Sequence, residues 1–127
     1  MRICLLAWGS RGDVQPLVAL GRGLRTAGYE VSVAAGRDFT ATITAAGLAA
    51  GPFDIDIAEA TQSDLGRRWL EGSSGGIRQE SRLMRDVVES FAPIAADGLA
   101  RMADCYDVFV SGLLTMDPML SIARATG

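Results

Sequence analysis

One stretch near the amino terminus concentrates side chains able to do chemistry: Gly9-Ser10-Arg11-Gly12-Asp13-Val14-Gln15-Pro16. Asp13 has two readings. Its carboxylate can cap a helix by accepting bonds from free backbone N–H groups, or it can act as a general base at the mouth of a site. Ser10 offers a hydroxyl that serves either turn geometry or a ligand. Arg11 is either a solvated loop charge or a planar fork suited to gripping a diphosphate through two parallel bonds. The backbone N–H groups at the start of a helix favour negative charge, whether from a phosphate or a carboxylate.

Other chemistries are excluded by what the chain lacks. Only Gly9 and Gly12 stand in the loop, so the spacing is not GxGxxG, and no acidic residue stands directly after the second strand, where a ribose contact would be expected. No lysine is present, which removes a Walker-type phosphate loop. Histidine is absent as well, so Ser-His-Asp triads and His-rich zinc sites cannot be built from these residues. No metal site is expected.

The 127 residues are 49% hydrophobic with a net charge of −3, enough for one domain with a genuine core and too apolar for disorder. The basic residues, all arginine, are scattered along a slightly acidic chain, which argues against a nucleic-acid surface. The apolar run from Ile3 to Trp8 is far shorter than the ~20 residues of a membrane span. It is no export signal either, so a cytoplasmic location is the expectation. Cys4 and Cys105 are expected to be buried free thiols rather than a disulfide.

Hydrophobic patterning places the reactive stretch between a strand and a helix. Arg2 to Trp8 is apolar on both faces, as suits a strand of a parallel sheet covered on both sides. A helix is expected from about Val14 to Ala27, with Asp13 as its N-cap, Pro16 in its first turn and Gly28 as its stop. Its apolar stripe is read as Leu17, Leu20, Gly21 and Leu24. Gly21 on that stripe predicts close approach to the sheet, whereas Gly23 has no visible reason.

A second strand at Glu30–Ala35, a helix from Asp38 to Ala46 and a third strand from Leu48 to Phe53 complete β-α-β-α-β. After a weakly patterned middle, a helix is expected over Ile77–Ala103 and a strand over Tyr106–Ser111. A last helix is capped by Asp117 with Pro118 at its first position. The expected fold class is α/β: a Rossmann-like, doubly wound parallel sheet with helices on both faces, in a single domain over residues 1–127.

The run GSRGDVQPLVALGRGLRTAGYEVSVAA, residues 9–35, resembles the start of family 1 and family 28 glycosyltransferases. The nearest likeness is to glycopeptide-antibiotic and sterol glucosyltransferases. It is dense to about Phe53 and returns from Tyr106 to Gly127. The resemblance implies the GT-B arrangement, two Rossmann-like domains facing across a cleft. The N-terminal domain holds a small-molecule acceptor and the C-terminal one a UDP- or TDP-sugar, used as co-substrate with no separate cofactor. It further implies that these residues are an incomplete acceptor-side domain needing the nucleotide-sugar half, in cis or from a partner.

By the same resemblance Asp13 is the base for an inverting hexosyl transfer to a lipophilic or natural-product hydroxyl. Ser10, Arg11 and Gly12 then lie near the donor phosphates or the sugar. Many relatives carry His in place of Asp13, so their His–Asp pair cannot operate here. Trp69 and Leu70 are candidates for the acceptor pocket or for plain core. The other function class left open is a non-catalytic Rossmann-like helper module that keeps the motif for capping and packing.

Overall fold

The structure is a computed structural model that describes residues 1–51, 64, 67, 82, 85, 86, 89, 93, 96–112, 115, 116, 119, 120, 123 and 124. Four strands form one parallel sheet: β1 (Arg2–Ala7), β2 (Glu30–Ala35), β3 (Ala49–Ala50) and β4 (Val108–Ser111), in the order β3-β2-β1-β4. β1 and β2 run in register from Arg2 opposite Glu30 to Ala7 opposite Ala35. On its other edge β1 pairs with β4, Ile3 opposite Val108 and Leu6 opposite Ser111. Two helices link the first three strands: α1 (Arg11–Thr26) and, after a 3₁₀ turn at Arg37–Phe39, α2 (Thr40–Ala45). Residues 96–102 are helical and lead through a second 3₁₀ turn, Ala103–Cys105, towards β4.

The alternation of side chains along β1 divides the core into two layers, because successive residues of a strand point to opposite faces. Ile3, Leu5 and Ala7 pack with Val14 and Val18 of α1, with Val31 and Val33, and with Ile43 and Leu48. Cys4 and Leu6 face the other way, against Ala34, Leu99 and Met102, with Trp8, Tyr106, Phe109 and Met119 at the margin. Both faces are therefore covered, as the continuous apolar run of β1 implies. Rings of Tyr106 and Phe109 meet edge to face at 5.7 Å.

The amino ends of β1 and β4 are clamped together. Arg2 donates its backbone N–H to Asp107 Oδ2 at 2.7 Å and its Nη2 to Oδ1 at 3.0 Å, while Asp107 returns its N–H to the Arg2 carbonyl at 2.9 Å. These bonds from the Arg2 backbone and guanidinium hold the Asp107 carboxyl below its usual range.

Several expectations need correcting. Helix α1 starts at Arg11, three residues earlier than the sequence reading, so Pro16 lies inside the helix and not in its first turn. The buried face is Val14, Val18 and Gly21, with Leu17 and Leu24 partly buried, and Leu20 is 43% exposed. The stripe therefore begins at Val14, which the sequence reading treated as the helix's first residue. The helix expected over Asp38–Ala46 is a 3₁₀ turn followed by a six-residue α-helix, and among the described residues β3 covers Ala49–Ala50, with Pro52 and Phe53 of the expected strand outside them. Cys4 is a buried free thiol as expected, whereas Cys105 is free but exposed. The flanks of the last helix at Asp117 and Pro118 lie outside the described residues.

The two interior glycines of α1 differ as the sequence suggests. A Cβ on Gly21 would come within 2.9 Å of Leu48 Cδ1 and 3.1 Å of Leu5 Cδ1, so the missing side chain sets the distance from helix to sheet. A Cβ on Gly23 would meet nothing within 4 Å. Gly23→Ala should therefore stabilise the fold by roughly 0.5–1 kcal/mol, and Gly21→Ala should destabilise it by roughly 1–3 kcal/mol. Thermal or urea unfolding of the two variants measures both signs.

The thiols give a second test. Burial pushes the Cys4 thiol up from 9.0 to about 12. A colorimetric thiol reagent should label Cys105 quickly and Cys4 only on unfolding. Because the folded state holds the Cys4 proton more tightly, its contribution to stability is complete below pH 9 and is lost as pH rises towards 12. Unfolding curves of Cys4→Ala should show a shallower alkaline loss than the parent chain.

Candidate functional site

The order β3-β2-β1-β4 means that the chain leaves β1 in one direction, through β2 to β3, and later places β4 on the opposite side. The loops that follow β1 and β4 thus diverge at a topological switch point, where open α/β sheets form their ligand crevice. The stretch Gly9 to Asp13 lies in the loop after β1 and the start of α1. The loop after β4 begins at Gly112, whose N–H donates to the Leu6 carbonyl at 3.0 Å. The buried Thr115 hydroxyl lies 3.3 Å from the same carbonyl and 3.1 Å from that of Gly112, sharing its one proton between them. Thr115 thereby fastens the loop after β4 to the end of β1. Nothing in the local sequence distinguishes it from any other loop threonine.

In the loop after β1, Ser10 and not Asp13 is the N-cap of α1. The Ser10 hydroxyl accepts from the Gly12 N–H at 3.2 Å, and its carbonyl accepts from Asp13 and Val14 at 3.0 and 3.2 Å. Asp13, at the third helical position, reaches back so that its Oδ2 accepts the Ser10 N–H at 2.7 Å. The Ser10 hydroxyl donates to the same oxygen at 3.1 Å. This is a capping box. The spacing Ser-x-x-Asp before an apolar helix was the signal for it, and reading Asp13 alone as the cap passed over it. The Asp13 carboxylate is consequently held at Oδ2, while Oδ1 carries no protein hydrogen bond among the described residues. The side chain is exposed.

Gly9 makes the turn that allows this. Its φ of +132° suits only glycine, and a Cβ there would overlap the Asp13 carboxylate. Gly12 is different: it is helical, and a Cβ would make only an ordinary 3.5 Å contact with Ser10 Oγ. Within α1, Pro16 has no N–H to give the Gly12 carbonyl four residues back. Arg11 is the first helical residue, exposed, and its own N–H has no protein acceptor among the described residues. The structure thus brings Ser10, Arg11, Gly12 and Asp13 together at one end of β1. Trp69 and Leu70 lie outside the described residues. Among those described, no three His, Cys, Asp or Glu side chains are grouped to hold a metal ion, and no helix is long and apolar enough to cross a membrane.

The chain is 53% identical over 122 residues to O-mycaminosyltylonolide 6-deoxyallosyltransferase of Streptomyces fradiae, a match covering 94% of this chain and 28% of that enzyme. Over 59 residues it is 42% identical to a sterol 3-beta-glucosyltransferase of Sclerotinia sclerotiorum, covering 46% of this chain and 4% of that protein. Its fold matches the crystal structure of SsfS6, a glycosyltransferase of Streptomyces sp. SF2575, with a TM-score of 0.67 and 26% identity over 99% of this chain and 37% of that one. A further SsfS6 structure contains thymidine diphosphate. The chain spans less than a third of the length of these curated relatives. Residues 3–108 match the glycosyltransferase family 28 N-terminal domain, and the chain belongs to that family of GT-B transferases.

Proposed function

We propose that this chain is the acceptor-side domain of an inverting hexosyltransferase and that Asp13 is its base. The reaction moves a hexose from a UDP- or TDP-sugar to a hydroxyl of a lipophilic or natural-product acceptor. The observation that carries the proposal is the Asp13 carboxylate: anchored at Oδ2 by Ser10, open at Oδ1, and standing at the switch-point crevice. As the acceptor oxygen attacks the anomeric carbon, its proton passes to Asp13 Oδ1. The bond from that carbon to the diphosphate breaks on the opposite face, and the diphosphate leaves with the electron pair. Two hydrogen bonds on Oδ2 keep the carboxylate in one orientation throughout, which favours a positioned base.

Ser10, Arg11 and Gly12 are assigned to the donor phosphates or the transferring sugar. Arg11 brings a positive charge to the positive end of a helix, a local cost that an incoming diphosphate offsets. The partner is a C-terminal nucleotide-sugar domain, in cis or from another chain, and the reaction is assigned no metal and no separate cofactor. Action in the cytoplasm agrees with two free thiols. The 6-deoxyallosyl and sterol relatives make a deoxyhexose or glucose donor and a polycyclic or macrocyclic acceptor the first combinations to assay.

A second reading has an observation of its own. The capping box gives Asp13 a complete structural task, which a non-catalytic module would also need. Substitutions in the transferase carrying this domain separate the two. Asp13→Asn keeps an oxygen for the Ser10 N–H, so stability should change by less than ~1 kcal/mol. For a base, kcat should fall roughly 10²–10⁴-fold. Ser10→Ala and Asp13→Ala should each lose about 1 kcal/mol of stability through the cap. Near-normal turnover by folded Asp13→Asn enzyme would leave Asp13 as a cap alone.

A further inference from the structure

Gln15 is the one polar residue of the reactive stretch that neither the fold nor the proposed reaction uses. It lies one helical turn beyond Arg11, where side chains at i and i+4 are neighbours. With its amide oxygen towards Arg11, the orientation required beside a group that offers only donors, Gln15 Oε1 accepts from Arg11 Nε at 2.9 Å and Nη2 at 3.1 Å. Both residues are exposed, so neither is held by packing. Among the described residues, Gln15 is the only partner of the Arg11 guanidinium.

The geometry has a consequence for what Arg11 can grip. A guanidinium carries five N–H donors in a fixed fork. Gln15 occupies the Nε–H and one Nη2–H. The remaining edge, between Nη1 and Nη2, still has two parallel donors, the arrangement that takes two phosphate oxygens at once. An unrestrained exposed arginine would have to give up rotamer freedom to present that edge, at a cost in side-chain entropy. Pairing with Gln15 meets part of that cost before a ligand arrives.

We infer that Gln15 is a positioning residue, holding the Arg11 guanidinium with its Nη1/Nη2 edge free for the diphosphate of the donor. The inference rests on the assignment of Arg11 to the donor phosphates. It predicts an effect on donor binding and not on proton transfer, since Gln15 makes no contact with Asp13.

A kinetic cycle in the full transferase tests it. Arg11→Met should raise the donor KM about tenfold or more. Gln15→Met should raise it roughly 3–10-fold, with kcat, acceptor KM and the pH profile of kcat little changed. Gln15→Glu, which keeps an acceptor oxygen for Arg11, should restore the donor KM to within about threefold of the parent. In the Arg11→Met background, Gln15→Met should add nothing. Thermal unfolding of each variant separates these effects from loss of fold.

Two results would overturn the inference, and they differ. If Arg11→Met raises the donor KM but Gln15→Met does not, or does so equally in the Arg11→Met background, Gln15 does not act through Arg11. If Arg11→Met itself leaves the donor KM unchanged, the assignment of Arg11 to the diphosphate fails and the role of Gln15 falls with it. In that second case Asp13→Asn still reports on the base independently.

Discussion

Everything described here depends on β1 being bonded along both edges and covered on both faces. Its backbone pairs with β2 on one side and β4 on the other, and Cys4, Leu5 and Leu6 have no exposed surface. A strand in that position has no freedom to slip, because a shift of one residue would exchange the two core layers. Its carboxyl end is therefore a fixed point. The chain leaves it through Gly9, turns back at Ser10 and enters α1, whose face of Val14, Val18 and Gly21 packs onto the same sheet. The position of the Asp13 carboxylate follows from a rigid strand, a glycine turn and a packed helix.

At this site one carboxylate meets a structural need with only one of its oxygens. The Asp13 carboxylate completes the cap of α1 with one oxygen and leaves the other without a protein partner among the described residues. A side chain held by one oxygen and free at the other can be both a structural element and a reacting group. Gly12 shows the complementary case: helical backbone and only an ordinary neighbour for an added Cβ, yet no side chain.

The family resemblance and the structural comparisons agree on the fold and on the class of chemistry, and the local geometry refines both. The match to the 6-deoxyallosyltransferase extends over 122 residues, and the match to the sterol 3-beta-glucosyltransferase over 59. Histidine is absent from this sequence, so no histidine among these residues can act as a base.

Much of this was legible in the sequence because it is governed by neighbours along the chain. The apolar run of β1 announced a doubly covered strand. Gly28 with its φ of +92° ends α1 where left-handed backbone was anticipated, and Gly21 marked the close approach of helix to sheet. The Ser10–Asp13 capping box is equally local, and its spacing was on the page before the fold was. What required the tertiary structure was every contact between distant segments. β4 lies beside β1 and not beside β3, which puts the topological switch point at the end of β1. Arg2 and Asp107 clamp the two strands at one end, and Thr115 ties the second loop to Leu6 at the other. Those pairs are more than a hundred residues apart. No periodicity or propensity connects them; only the packing of the sheet sets which chain segments meet.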